Sequence, residues 1–491
     1  MTAAGPDDAA GGRAKVAAGE PGTAGAALDA LRGILGADGL LSGADCAQYL
    51  VDHRQLYQGR ALGVALPRSV AQVSQLLAWC DARRIGVVPH GGNTSYCGGA
   101  TPDESGRQLV LSLARLNRVR NVDPANYSLT AEAGCILAQV QQAAADAQLF
   151  FPLSLGSEGS CHIGGNLSTN AGGTAVLRYG MMRDLVLGLE VVLADGRVLE
   201  CLSALRKDNT GYDIRGLFLG AEGTLGVITA ASLKLFPQIA SVATAFAAVA
   251  GVRAAVTLLA RLRAASGDRV SSFELIPRIG VELTTRHIPG VTDPLGAPHA
   301  WYVLCELSSA RADEPLDAVL AEALGAALSD RLVLDAAVAG SGRERDALWK
   351  LRETIPEAQR KEGAGLKHDI SVPLSALPEF VERGAAWVSA QVPGARLVAY
   401  GHVGDGNLHF NLTEPPGAAA GALGARAAEV QRALHDLAVS LGGSFSAEHG
   451  IGRLKVGELE RYAPPVELEL MRAVKRAFDP HGIMNPGKVL R

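Results

Sequence analysis

The sequence predicts an α+β protein, and three observations carry that expectation. From Gly63 onward, short β-rich runs alternate with helices and are broken by two glycine-rich loops. After Pro237 the glycines thin out, and a second strand/helix alternation fills residues 240–412. The C-terminal stretch, 424–491, reads as mostly helical. The expected division is a disordered lead over 1–25 and a first domain over 26–237. A second α+β domain follows over 238–423, with an antiparallel sheet and helices on one face. The helical segment 424–491 is expected to pack back on the first domain.

Each element has a local reason. Residues 1–25 lack an apolar core and carry Asp7 and Asp8, so they suit neither a signal peptide nor a transit peptide. Structure is expected from Ala26, in the apolar run ALDALRGIL. "GVALPRSVAQVSQLLAWCDARRIGVVPHGG" reads as strand, helix, strand, with Val70, Val73, Leu76 and Leu77 as the helix's apolar stripe. "LVLGLEVVLADGRVLE" is two strands turning at Asp195-Gly196. "GTLGVITAASLKLFP" reads as a further strand pair. In the second domain, helices are expected at 252–265, 314–328, 343–361 and 374–391, and strands near 366–372 and 396–412.

Composition narrows the function. The chain has 491 residues, 48% of them apolar, and a formal charge of −4 without a basic stripe, which argues against a nucleic-acid partner. The seven cysteines are never closer than 17 residues, so no metal or iron–sulfur spacing exists and buried thiols in a reducing, cytoplasmic setting are expected. The most apolar stretch, 239–260, is interrupted by Arg253 and reads as buried strand and helix, not as a membrane span.

The glycine loops point to a ligand. "PHGGNTSYCGGATP", residues 89–102, follows an apolar strand and offers backbone N–H groups and hydroxyls to an anion such as a pyrophosphate. It is not the G-x-G-x-x-G fingerprint of a Rossmann site. "FPLSLGSEGSCHIGGNLSTNAGGTAVLRYG", residues 151–180, combines small residues with amides and hydroxyls and suits a large flat polar ligand. A glycine-rich surface loop is the plainer reading of either cluster alone. Both together, with "GAEGTLGVI" at 220–228, favour a cofactor site.

A second constellation lies in "VAYGHVGDGNLHFNL", residues 398–412. A reversal at Gly404-Asp405-Gly406 would bring His402 and His409 together, and His409 and Asn411 share a strand face. Two histidines and a carboxylate make a metal site with open positions. Glu448 in "SFSAEHGIGRLK" is the candidate carboxylate and His449 the candidate base. A packed histidine and a plain turn boundary are the ordinary alternatives. Asp405 is expected to shape the loop, and His368 and Glu274 to be structural.

The order of these motifs resembles the FAD domain of the vanillyl-alcohol oxidase/PCMH flavoprotein superfamily. With the C-terminal motifs, the chain is similar to the D-lactate/D-2-hydroxyglutarate/glycolate dehydrogenase branch over roughly residues 60–490. The resemblance implies a two-part PCMH-type FAD-binding domain and a cap domain for substrate. It implies FAD contacts from Pro89, His90, Gly91, Gly92, Asn93, Thr94 and Ser95. A second set is Gly156, Ser157, Gly159, Ser160, Ile163, Gly164, Gly165, Asn166, Ser168, Thr169, Asn170, Gly172, Gly173, Tyr179 and Gly180. Glu222, Gly223, Gly226, Ile228 and Asn485 complete it. Asn93 stands where some members carry a flavin-linking histidine, which implies non-covalent FAD.

In the same way the resemblance implies His402, His409 and Glu448 as ligands of a divalent metal, zinc first and manganese or iron otherwise. It implies His449 as base and Arg352, Lys367 and Asn411 (with His449) as substrate contacts. Two cations beside a metal favour a dicarboxylate, hence oxidation of D-2-hydroxyglutarate ahead of D-lactate or glycolate. Pro356 departs from a threonine found in some relatives, which weighs on the choice of acid. The implied partners are the hydroxy acid and an electron acceptor (an electron-transfer flavoprotein, a quinone or a cytochrome), with a peripheral membrane link through that acceptor and a homodimer as options. A flavin-binding subunit without activity, and a true oxidase, are the rival readings.

Overall fold

The computed structural model describes residues 21–415, 417 and 421–491. The lead expected over 1–25 lies outside the described residues as far as residue 20. Residues 21–25 are a correction: the first helix runs Pro21–Leu35, beginning before the apolar run at Ala26.

The first domain has two sheets. In the smaller, Gly63–Ala65, Val87–His90 and Leu109–Ser112 run parallel, and Leu40–Leu41 closes one edge antiparallel. The helix Val70–Arg83 crosses between the first two. Ser69 caps it by accepting from Gln72 N, and Val73, Leu76, Leu77 and Cys80 are its buried stripe. The larger sheet is antiparallel in the order Val119–Asp123, Ser128–Glu132, Val227–Lys234, Val186–Val192, Val198–Cys201. The Asp195-Gly196 hairpin forms as expected, with Gly196 at φ +86°. The strand pair expected in "GTLGVITAASLKLFP" does not form. Val227–Lys234 is one strand, and Phe236–Pro237 pairs instead with Leu149–Phe150.

The second domain opens with an antiparallel sheet in the order Val270–Pro277, Trp301–Ser309, Ser241–Val249, Val333–Val338. Its period-2 alternation sends Ala243, Ala245 and Ala247 into one core with Leu258, Leu259 and Leu320. It sends Phe246 and Ala248 into another with Trp349, Leu351 and Ile355. Helices therefore cover both faces, where the sequence reading expected one. The long helix expected over 343–361 is broken into Gly342–Glu353 and Ile355–Glu362, with Pro356 in the first turn of the second.

A fourth sheet carries much of the site. Asn407–Thr413 is its central strand, flanked by Arg396–Tyr400 on one side and by Gly365–Leu366 and Asp369–Ser371 on the other. It is joined to the preceding sheet by a two-way backbone bridge between Leu275 and Gly401. That bridge brings Glu274 beside His402. The chain end returns to the first domain: Val87 N donates to Ile483 O and Asn485 N to Val87 O, extending the parallel sheet.

Candidate active site

The turn between the two histidines is built by backbone. After Arg396–Tyr400 the chain makes a short 3-10 turn, Val403–Asp405, and re-enters the sheet at Asn407. Asp405 accepts from Asn407 N at 3.0 Å, so it shapes the loop. Gly406 sits at φ +82°, where a Cβ would lie 2.2 Å from Val372 O, so glycine is required. The reversal sets the rings of His402 and His409 5.8 Å apart. Glu448 arrives from the non-helical loop after Ala427–Ser440, and His402 Nε2 lies 3.4 Å from its Oε1. One donor atom from each of His402, His409 and Glu448 falls within 4.8 Å of the others.

Two buried acids hold this cluster in place, and the sequence reading took neither as functional. Glu274 is fully buried; its carboxylate accepts from His402 Nδ1 at 2.5 Å and from Arg352 Nε at 2.6 Å. Its expected structural status is thus corrected: it fixes the His402 tautomer and leaves Nε2 facing Glu448. Asp369 accepts from the N–H groups of Glu448 (2.9 Å) and His449 (3.0 Å) and from Asn407 Nδ2 (2.9 Å). It also lies 3.4 Å from His449 Nδ1. The signal for both was present: a lone acid within the apolar run VSSFELI, and another within HDI. Acids are rarely buried unless partnered.

The electrostatics favour a cation. Burial opposes charge throughout the cluster. It pushes the Glu448 carboxyl up to about 7, against the pull of His402. Burial works against His402 protonation too, but Glu274 and Glu448 outweigh it and hold that ring at about 9. Burial lowers His409 to about 3 and His449 to about 4. His409 is thus a neutral imidazole, while His402 holds a proton against Glu274 and Glu448, and a divalent ion taking His402 Nε2 would displace that proton and supply the positive charge the two carboxylates draw.

The glycine loops line one elongated cleft that opens to solvent. Its wall includes Pro89 to Ser95, Ser157, Gly164, Gly165, Asn166, Ser168, Thr169, Gly172, Glu222, Gly223, Gly226 and Ile228, and at one end Glu448 and His449. Gly92 approaches the second loop so closely that a Cβ would meet Ser160 O at 2.1 Å. His90 is buried with neither ring nitrogen bonded, and His162 Nδ1 is also unpartnered. Both line the cleft, so polar atoms wait there for a polar ligand, and the residues fit a dinucleotide.

Glu222 ties the loops to the catalytic end. Its carboxylate accepts from Ile451 N at 2.6 Å and Gly452 N at 2.8 Å. Gly156, Gly159, Ser160, Ile163, Asn170, Gly173, Tyr179, Gly180 and Asn485 do not line the cleft. Tyr179 is corrected to an aromatic wedge between Phe150 and Phe236. Asn485 braces the wall from behind, donating to Gly99 O and Glu222 O.

The expected substrate residues differ in their freedom. Arg352 is buried, with Nε on Glu274 and its guanidinium over Tyr400. Lys367 lies just outside the strand Asp369–Ser371, a correction to its expected place at a strand start. It reaches solvent, and surrounding protein lowers its ammonium to about 8. Asn411 is committed on both sides, accepting from His368 N and donating to Gln359 Oε1, so its amide repairs the ladder opposite Lys367. Tyr96 was missed; its ring meets His449 edge-on at 4.8 Å.

Comparison with known proteins agrees with this architecture. Residues 239–489 match the model of FAD linked oxidases, C-terminal domain, and residues 61–202 that of an FAD binding domain. The chain is 40% identical over 447 residues to the D-2-hydroxyglutarate dehydrogenase, mitochondrial, of Bos taurus, covering 90% of this chain and 79% of the relative. It is 37% identical to the "probable D-2-hydroxyglutarate dehydrogenase, mitochondrial" of Oryza sativa subsp. indica, covering 94% and 80%. It is 36% identical to the D-2-hydroxyglutarate dehydrogenase of Xanthomonas citri pv. viticola, covering 91% and 93%. Among solved structures, p-cresol methylhydroxylase with substrate bound superposes with a TM-score of 0.74 at 17% identity, over 96% of this chain and 97% of that one, a likeness of fold. The bipartite flavin cleft, the matched family models and the relatives identical at more than a third of positions together make this chain a member of the FAD-linked oxidase family, and of the D-2-hydroxyglutarate dehydrogenase group within it.

Proposed function

We propose that this enzyme oxidises D-2-hydroxyglutarate to 2-oxoglutarate with non-covalent FAD and a divalent metal held by His402, His409 and Glu448. The observation that carries the reading is that Glu448 and His449, adjacent in sequence, end the same cleft that the glycine loops line. When bound, FAD supplies a hydride acceptor for C2, and the metal, zinc first and manganese or iron otherwise, supplies Lewis acidity at the C2 hydroxyl.

The chain's own groups supply the rest. His449 is neutral at pH 7; its Nδ1 faces Asp369, which leaves Nε2 to receive the hydroxyl proton. Arg352 keeps its terminal N–H groups for a carboxylate, because Glu274 engages only Nε. Lys367 adds a second positive charge near His449. Asn93, whose amide donates to Val51 O at 2.9 Å, offers no ring nitrogen for a flavin bond, in keeping with non-covalent cofactor.

The seven cysteines are all unpaired, in keeping with a reducing compartment such as the cytoplasm. No helix among the described residues is long and apolar enough to cross a membrane, so any membrane link would run through the electron acceptor. A Saccharomyces cerevisiae relative, 34% identical, is named a D-2-hydroxyglutarate–pyruvate transhydrogenase, so a 2-oxo acid joins flavoprotein, quinone and cytochrome as acceptors to assay.

The test is a steady-state panel on purified, metal-analysed holoenzyme with an artificial acceptor: D-2-hydroxyglutarate, D-lactate, D-malate and glycolate. D-2-hydroxyglutarate should give the highest kcat/KM, with close to one metal ion per flavin. A monocarboxylate at the top of the panel, or full activity in metal-free protein, would overturn the reading.

A further inference from the structure

We infer that Arg54 is a specificity residue: with Lys367 it takes the second carboxylate of a dicarboxylic 2-hydroxy acid. This rests on the oxidation proposed above and assigns its substrate end. Arg54 lies in a turn built by Asp52, whose buried carboxylate accepts from Arg54 N at 2.9 Å and Tyr57 N at 2.5 Å. The first glycine loop anchors the same segment, through Asn93 Nδ2 to Val51 O at 2.9 Å.

The turn lays the guanidinium on the Tyr96 ring, with Cζ 4.3 Å from its centroid. Tyr96 in turn meets His449 edge-on at 4.8 Å. Arg54 therefore stands one aromatic ring away from the proposed base. Lys367 comes to the same place from the other domain: it precedes by two residues Asp369, whose carboxylate is 3.4 Å from His449 Nδ1. The charges that Lys367 feels are those of Arg54 and Arg360, all positive.

Lys455, the other cation beside His449, is already engaged, donating to Phe445 O and Ser446 Oγ. Arg54 and Lys367 form no ion pair among the described residues, and both positive charges act on the base from this side, while Asp369 engages its Nδ1. An anion placed between them would be attracted by both charges. A guanidinium over an aromatic face can keep N–H groups free for a planar carboxylate. Pro356, at the first turn of Ile355–Glu362, has no side-chain donor for that role.

The experiment uses the FAD-loaded full chain, wild type and Arg54→Gln and Arg54→Lys. It compares D-2-hydroxyglutarate with D-2-hydroxyvalerate, the same carbon chain with a methyl in place of the second carboxylate. The kcat/KM ratio of dicarboxylate to monocarboxylate should fall roughly 10- to 100-fold in Arg54→Gln, mostly through KM, as expected for loss of a hydrogen bond to a charged group. Arg54→Lys should keep part of it. Equilibrium titration with 2-oxoglutarate against 2-oxovalerate, read by flavin absorbance, should show the same fall in preference.

An equal loss toward both acids, or an unchanged ratio, overturns the assignment. The wild-type ratio separates the two proposals. If wild type itself favours D-2-hydroxyvalerate, the dicarboxylate reading fails. If wild type favours the dicarboxylate and Arg54→Gln keeps the ratio, only the role of Arg54 fails.

Discussion

Replacing Glu274 by glutamine removes one charge from a row of four groups, two of them buried: Arg352, Glu274, His402 and Glu448. Arg352 is 6% exposed and Glu274 0%, and they meet at 2.6 Å. At an effective dielectric of about 20, that separation corresponds to a gross attraction of about 6 kcal/mol. Desolvation offsets much of it, and breaking a buried pair from one side costs about 3–5 kcal/mol because the other charge is left unpaired. Glu274→Gln should therefore lower the unfolding free energy by roughly that amount in urea denaturation followed by circular dichroism. A second readout is metal. Glutamine can no longer draw the Nδ1 proton of His402 as a carboxylate does, and metal affinity should weaken roughly 10- to 100-fold by competition with a chelator. Adding Arg352→Met to Glu274→Gln should recover part of the stability, since no lone charge remains, but none of the metal affinity. A Glu274→Gln protein within 1 kcal/mol of wild type and with unchanged metal affinity would refute the view that Glu274 is an orienting acid.

His449→Ala should retain FAD, read by its absorbance, and lose roughly 10²- to 10⁴-fold in turnover, the usual contribution of a general base; near-normal turnover would show that the proton goes elsewhere. Gly92→Ala should be purified largely without flavin, because the added methyl meets Ser160 O at 2.1 Å and forces the two glycine loops apart; a yellow, fully loaded Gly92→Ala protein would contradict that contact. Lys488 is 3% exposed, and burial lowers its ammonium from 10.5 to about 8. The unfolded chain then binds more protons between those two values, so stability rises with pH across the window and the contribution is lost as pH falls through about 8. Lys488→Met should flatten that rise, by about 2 kcal/mol in unfolding free energies measured at pH 7.5 and 10; parallel profiles for the two proteins would remove Lys488 as its source.

Local patterns announced most of the fold. The helix Val70–Arg83 has its cap and its stripe within its own residues, and the Asp195-Gly196 hairpin has its turn chemistry in two. Failures came where a segment chose a distant partner. Phe236–Pro237 pairs with Leu149–Phe150, 86 residues away in sequence at its nearest register, and nothing in "GTLGVITAASLKLFP" encodes that preference. The two-sided sheet was legible in principle. Ser241–Val249 is apolar almost throughout, and a strand buried on both faces reads as a continuous run, not an alternating one.

The site divides along the same line. His402 and His409 flank a local turn, so their approach could be expected from the chain text, while Glu448 and His449, 39 and 40 residues further on, were joined to them through the family resemblance. Glu274 and Asp369 act across long separations, 128 residues from Glu274 to His402 and 80 from Asp369 to His449, and each looks like an isolated acid where it stands. What marks such residues is energetic: a carboxylate in an apolar strand must find a cation or donated N–H groups, or it will not stay ionised. Here the partners are the arginine expected to bind substrate, a histidine expected to bind metal, and the backbone of the residue expected to act as base. Other buried strand acids of this fold, Glu132, Glu190 and Glu306, find their partners in Arg118, Arg120 and Arg345 away from the site, so a buried acid points to the active site only when its partners are the site's own residues. Arg54 is the complementary case, a cation that forms no ion pair among the described residues, and that counter-charge is the part that substrate would bring.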